Sequence, residues 1–136
     1  MARRTQQRRA AVWALYQSAL LGRPLETTFE RDTHQFTRVL ATEVVGHQDE
    51  LDALISRHAS GWTLARIAPL ERAILRVALL EMTRPELVPG EHEIPAEGAI
   101  DEAVQTAKEF CGADAPGFVN GILAAVLREQ RLPADA

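Results

Sequence analysis

Apolar residues recur every three to four positions along most of the chain, the spacing of helices that bury one face. Val12, Leu15, Tyr16 and Ala19 stand at i, i+3, i+4 and i+7, which predicts a helix starting near Arg4 and ended by Gly22-Arg23-Pro24. A second stripe, Phe29, Phe36, Val39, Leu40 and Val44, predicts a helix from the late twenties to Val45, with Gly46 as its break. Leu51, Leu54, Ile55 and His58 mark a third, stopped before Gly61. After Pro69, which suits a first helical turn, Leu70, Ile74, Val77, Ala78 and Met82 share one side, widened by Leu75 and Leu79 into the stripe of a central core helix. Pro85 and VPGEHEIP then predict a loop. Ile100, Val104, Ala107 and Phe110 place another helix over Ala96–Phe110, closed by Cys111-Gly112. The last is predicted to be capped by Asp114 and to bury Phe118, Ile122, Ala125 and Val126, with Leu123 and Leu127 beside them. No stretch alternates with period two. The expected fold is all-α: one domain over residues 1–136, six to seven helices in two small bundles packed together.

Composition narrows the function classes more by exclusion than by indication. The chain has 136 residues, 46% of them apolar and 25% charged, the make-up of a globular domain that needs no staples. A lone cysteine, Cys111, excludes an internal disulfide framework and fits a reducing compartment, so a cytoplasmic setting is expected. No apolar run approaches the ~18 residues of a membrane span. His34, His47, His58 and His92 are scattered without cysteine partners, which does not make a zinc site, and no cofactor is implied. GADAPGFVNGIL is glycine-rich but lacks the spacing and the preceding strand of a phosphate loop. No nucleophile, base and orienter assemble, so no enzyme is expected.

Charge is distributed unevenly. Five of the 15 basic residues and none of the 19 acidic ones precede Glu26, which leaves 10 against 19, a net −9, on the rest. Arg3, Arg4, Arg8 and Arg9 open the first helix, and arginine forks match phosphate geometry. The pattern points to a polyanion, and screening keeps the remote acids from cancelling the tip. Charge alone selects no sequence; single-stranded RNA is read by stacking bases on aromatic rings. Candidates among the seven aromatic residues are Trp13, Tyr16, Phe36, Trp62, Phe110 and Phe118, the last set beside Asn120 at a glycine-flanked helix start.

The arginine-rich start running into RRAAVWALYQ, then GWTLARIAPLERAILRVALLEM, AIDEAVQTAKEF and DAPGFVNGIL, in this order and spacing, resembles the NusB family of bacterial transcription antitermination factors from about Arg3 to Arg128. The resemblance implies two three-helix bundles and a non-catalytic protein. Such a protein binds boxA-type single-stranded RNA of ribosomal RNA leader transcripts together with NusE, a small-subunit ribosomal protein, within an RNA polymerase antitermination complex. On matching positions it assigns RNA binding to Arg3, Arg4, Arg8 and Arg9, to Phe118 and Asn120 of the Phe-Val-Asn-Gly motif, and to Lys108 and Asp114 nearby. Tyr16 and Glu71 fall on the NusE-facing side. Family members occur as monomers and as homodimers. The chain departs from the family at Ala115, Pro116 and Gly117, where others carry Ser, His or Lys, and in a longer, more acidic VPGEHEIPAEG connection. The rival readings are a pure protein-interaction module and the NusB-like module of a ribosomal RNA cytosine methyltransferase, for whose catalytic domain 136 residues leave no room.

Overall fold

The computed structural model describes residues 3–90 and 93–132. Its first helix, α1 (Arg3–Leu21), buries Ala11, Val12, Ala14 and Leu15 and stops at Gly22, whose φ of 63° is the left-handed conformation a helix end favours in glycine. Helix α2 spans Gln35–Gly46, α3 Gln48–His58, α4 Pro69–Thr83, α5 Ala96–Phe110 and α6 Ala115–Gln130; short 3-10 turns occupy Leu25–Thr28, Leu64–Arg66 and Pro85–Leu87.

Helix α4 is the axis of the molecule. It packs against every other α-helix, forming one triangle with α1 and α2 and a second with α5 and α6, while α3 lies against α4 and α6. The broad stripe read from the sequence explains this: Ala73, Ile74, Leu75, Val77, Ala78, Leu79, Leu80 and Met82 are all buried, so nearly every side of the helix is covered. Leu79 has no exposed surface, and truncating such a leucine to alanine costs about 2–5 kcal/mol.

Helix α2 begins later than the apolar spacing predicted, and Phe29 lies outside it. The residues before it are held in a polar knot. Thr33 Oγ1 accepts from the Glu30 amide at 2.8 Å, and Arg38 donates to the carbonyls of Glu30 and Thr33 at 2.6 and 3.1 Å. The His34 ring then caps α2, Nδ1 accepting from the Phe36 amide at 3.0 Å. On α6 the expected cap fails: Asp114 has φ −86° and ψ −13°, and its side chain makes no capping bond. A cap needs an extended backbone to bring its oxygen onto the second or third amide, and Asp114 is already helical. Val119, Ile122, Leu123 and Val126 form the buried face of α6, leaving Phe118 half-buried at its border.

Candidate nucleic-acid interface

The first two turns of α1 place four arginines at one end of the molecule, and the fold engages three of them. Arg3 is exposed. Arg4 lays its guanidinium 4.0 Å from the centre of the Phe36 ring and donates to Gln7 Oε1 at 2.9 Å. Arg8 reaches across to α4, its Nε donating to both carboxylate oxygens of Glu81 at 2.9 Å. The two side chains are 12% and 2% exposed, so this is an internal ion pair. Burial pushes the Glu81 carboxyl above its usual range, and Arg8 offsets only part of that. Arg9 donates from Nη1 to Glu109 on α5 at 2.6 Å and lies 5.6 Å from the Phe110 ring. Two of the four therefore tie α1 to α4 and α5.

Between this tip and the connection that follows α4 lies a cleft of about 470 Å³, lined by Arg4, Arg8, Phe36, Glu81, Pro89 and Glu93. The acidic connection thus borders the arginines. Glu91 and His92 of that connection lie outside the described residues.

A second group of candidates meets where α6 begins. Phe118, in the first turns of α6, is approached edge-on by Trp62 at 6.2 Å and 65°. Arg66, from the short turn before α4, sits 5.9 Å from the Trp62 ring. Glu71, in the first turn of α4, joins Trp62, Arg66, Asp114 and Phe118 around a pocket of about 370 Å³. Burial raises the Glu71 carboxyl, and the Cys111 thiol is raised by burial and by the nearby Glu71 charge. Asp114, Asn120 and Lys108 are exposed. Tyr16 belongs to another cluster, with Trp13 edge-on to both Tyr16 at 5.7 Å and Phe110 at 5.3 Å. The structure therefore joins Glu71 to Phe118 and Asp114 around one pocket, while the Tyr16 ring packs edge-on with Trp13.

Sequence reasoning assigned no role to Glu81, and it named Trp62 only as one of six candidate aromatic residues, without Arg66. Glu81 looked like one more acid on α4, because its partner stands 73 positions away. Trp62 carried a local signal, an aromatic after Gly61 in a segment with no helical stripe, and Arg66 follows it in the same segment. Among the described residues, no group of three or more His, Cys, Asp or Glu side chains converges as metal ligands would, and no helix is long and apolar enough to cross a membrane.

The sequence pattern of the NusB family matches residues 5–128. The transcription antitermination protein NusB of Halalkalibacterium halodurans is 37% identical over 131 residues, which cover 92% of each chain. Among solved structures, T. maritima NusB matches with a TM-score of 0.80 at 28% identity, over 94% of this chain and 92% of that one. A chain from a crystal structure of antitermination factors NusB and NusE in complex with dsRNA shares the fold, with a TM-score of 0.77 at 24% identity over 95% and 99% of the two chains.

Proposed function

The chain belongs to the NusB family, and on that footing we propose that it is a non-catalytic transcription antitermination factor of the cytoplasm. In this reading it binds boxA-type single-stranded RNA of ribosomal RNA leader transcripts together with NusE, and so helps RNA polymerase read through terminators. The observation that carries the reading is the extent of likeness to an antitermination protein, 92% of both chains at 37% identity.

The geometry suggests a division of labour. Arg3, Arg4 and Lys108 supply phosphate contacts, which set affinity and association rate without selecting sequence. Arg8 is the positioning member, since its guanidinium is engaged by Glu81. Arg9 can exchange the half-exposed Glu109 for a phosphate. Phe118 stacks on an unpaired base, with Asn120 and Asp114 reading base edges. Tyr16 faces the protein partner, and Glu71, on the rim of the Phe118 pocket, stands where partner and RNA meet.

The test is fluorescence anisotropy of a short boxA-like RNA and its scrambled control, with and without NusE, at two salt concentrations. Preferential boxA binding that strengthens with NusE is the expected result. Weak and equal binding to both RNAs under every condition would reduce the chain to a protein-binding module.

A further inference from the structure

We propose that Trp62 and Arg66 complete, with Phe118, a pocket that holds an unpaired nucleobase of the bound RNA. The inference rests on the RNA-binding reading and adds a wall to it that the Phe-Val-Asn-Gly motif does not contain.

Trp62 is 51% exposed, a large apolar surface left in water. It is held there by the backbone. Gly61 turns the chain sharply after α3 with φ 76°, a conformation that costs a residue with a side chain, and the Trp62 amide donates to the Ala59 carbonyl at 3.0 Å. The Leu64–Arg66 turn then brings Arg66 back beside the indole. The two rings meet edge to face at 65° and do not stack on each other, so the contact covers at most one ring face and the edge-on ring keeps both of its own clear of it. Buried Ile67 and Ala115 also line the pocket, adding apolar surface beneath a polar rim.

The chemistry fits a base better than a side chain of a protein partner. A base offers a flat apolar face to the rings and N–H donors on its edge, which meet the carboxylates of Asp114 and Glu71 on the rim. A partner's lysine or arginine would also be drawn to those acids, but the Arg66 cation already lies against the indole and would repel it. Arg66 is exposed, and its fork is placed for the phosphate next to the captured base. The path from the arginine end is continuous. Arg9 meets Glu109 near the end of α5, Lys108 lies beside it, and Gly112 and Asp114 immediately beyond line the pocket.

The test uses the full chain carrying Trp13→Phe, so that Trp62 is the only indole, titrated with single-stranded boxA-like RNA. The expected results are quenching of Trp62 emission, and an affinity loss of about 5- to 150-fold for Trp62→Ala, the range of one lost base–aromatic stack. Trp62→Phe should stay within a few-fold of the parent, and Arg66→Gln should flatten the salt slope by about 0.7. Circular dichroism and melting of the Ala variant confirm that it is folded. RNA binding by Trp62→Ala as tight as the parent's, with no quenching in the parent, overturns the pocket and leaves the antitermination reading standing. A parent chain that binds no RNA sinks both. Loss of NusE affinity with unchanged RNA affinity assigns the pocket to the protein partner instead.

Discussion

At the N-terminal end of α1, the side chains that look most like ligand contacts are held by the fold: Arg8 by Glu81, Arg9 by Glu109, Arg4 by Phe36 and Gln7. At the start of α6, two aromatic rings that would ordinarily go inside face a pocket open to solvent. The difference follows from what each group loses on burial. A guanidinium can leave water only with a carboxylate to receive it, so a charged tip close to a helical core recruits acids. A ring gains from burial anywhere, so one kept outside marks a surface that stays open. Charge at the tip is partly architecture, and apolar surface at the edge is the better pointer to a ligand.

The largest effect should come from removing one partner of the internal pair. Glu81→Ala leaves the Arg8 guanidinium nearly buried without a counter-charge, which costs about 3–5 kcal/mol of folding stability in urea unfolding. Arg8→Met combined with Glu81→Leu should recover most of that loss, because a matched apolar pair leaves no orphaned charge. A loss from Glu81→Ala no larger than that of an exposed ion pair would make the tip a free binding surface after all. The same pair predicts a pH trend. Burial raises the folded carboxyl above its unfolded value, so the folded chain takes up the proton first as pH falls. Stability should therefore rise, relative to a Glu81→Gln chain, as pH is lowered through the folded value toward the unfolded one, 4.5.

Next comes Phe118→Ala, measured as the gap in affinity between boxA-like and scrambled RNA. Loss of a stacked base narrows that gap by about 1–3 kcal/mol. Equal weakening for both RNAs would return the ring to the core, whose border it touches. Charge at the tip is tested in a different observable. Arg3→Gln with Lys108→Gln removes two phosphate contacts and flattens the salt slope by about 1.4, so the affinity lost between 50 and 200 mM salt shrinks about sevenfold. Both RNAs should change alike. Selective loss for boxA would mean that these residues read bases.

The helices were largely readable because burial writes its period into the chain. The predicted Ala96–Phe110 helix has those bounds in the structure, and the broad stripe after Pro69 identified the central helix. What was not readable depended on partners distant in sequence or on backbone geometry. Phe29 continued an apolar stripe, but hydrogen bonds among Glu30, Thr33 and Arg38 broke the helix first. Asp114 had the right residue type for a cap and the wrong dihedral angles. Arginine content announced a charged tip, while nothing near Arg8 announced that Glu81 would meet it from α4. Phe118 was singled out in the sequence by its place beside Asn120 at a glycine-flanked helix start. Trp62 has no helical period around it, and only its position across from Phe118 gives it meaning.

The smallest effect concerns what the acidic connection does to the tip. Glu93 is exposed and lines the same cleft as Arg4 and Arg8, so it lowers the positive potential that an approaching phosphate meets. The screening length is about 10 Å at 0.1 M salt and about 3 Å at 1 M, which confines one exposed charge to a weak, local influence. Glu93→Gln should accordingly tighten RNA binding about twofold at low salt, and the gain should vanish as salt approaches 1 M. Binding that tightens equally at both salts would mean that the connection obstructs the cleft by its bulk. In that case shortening it, and not neutralising it, would open the arginine end. Either result separates the tip's phosphate-binding charge from the charge already engaged within the fold, which the aromatic edge has no need to do.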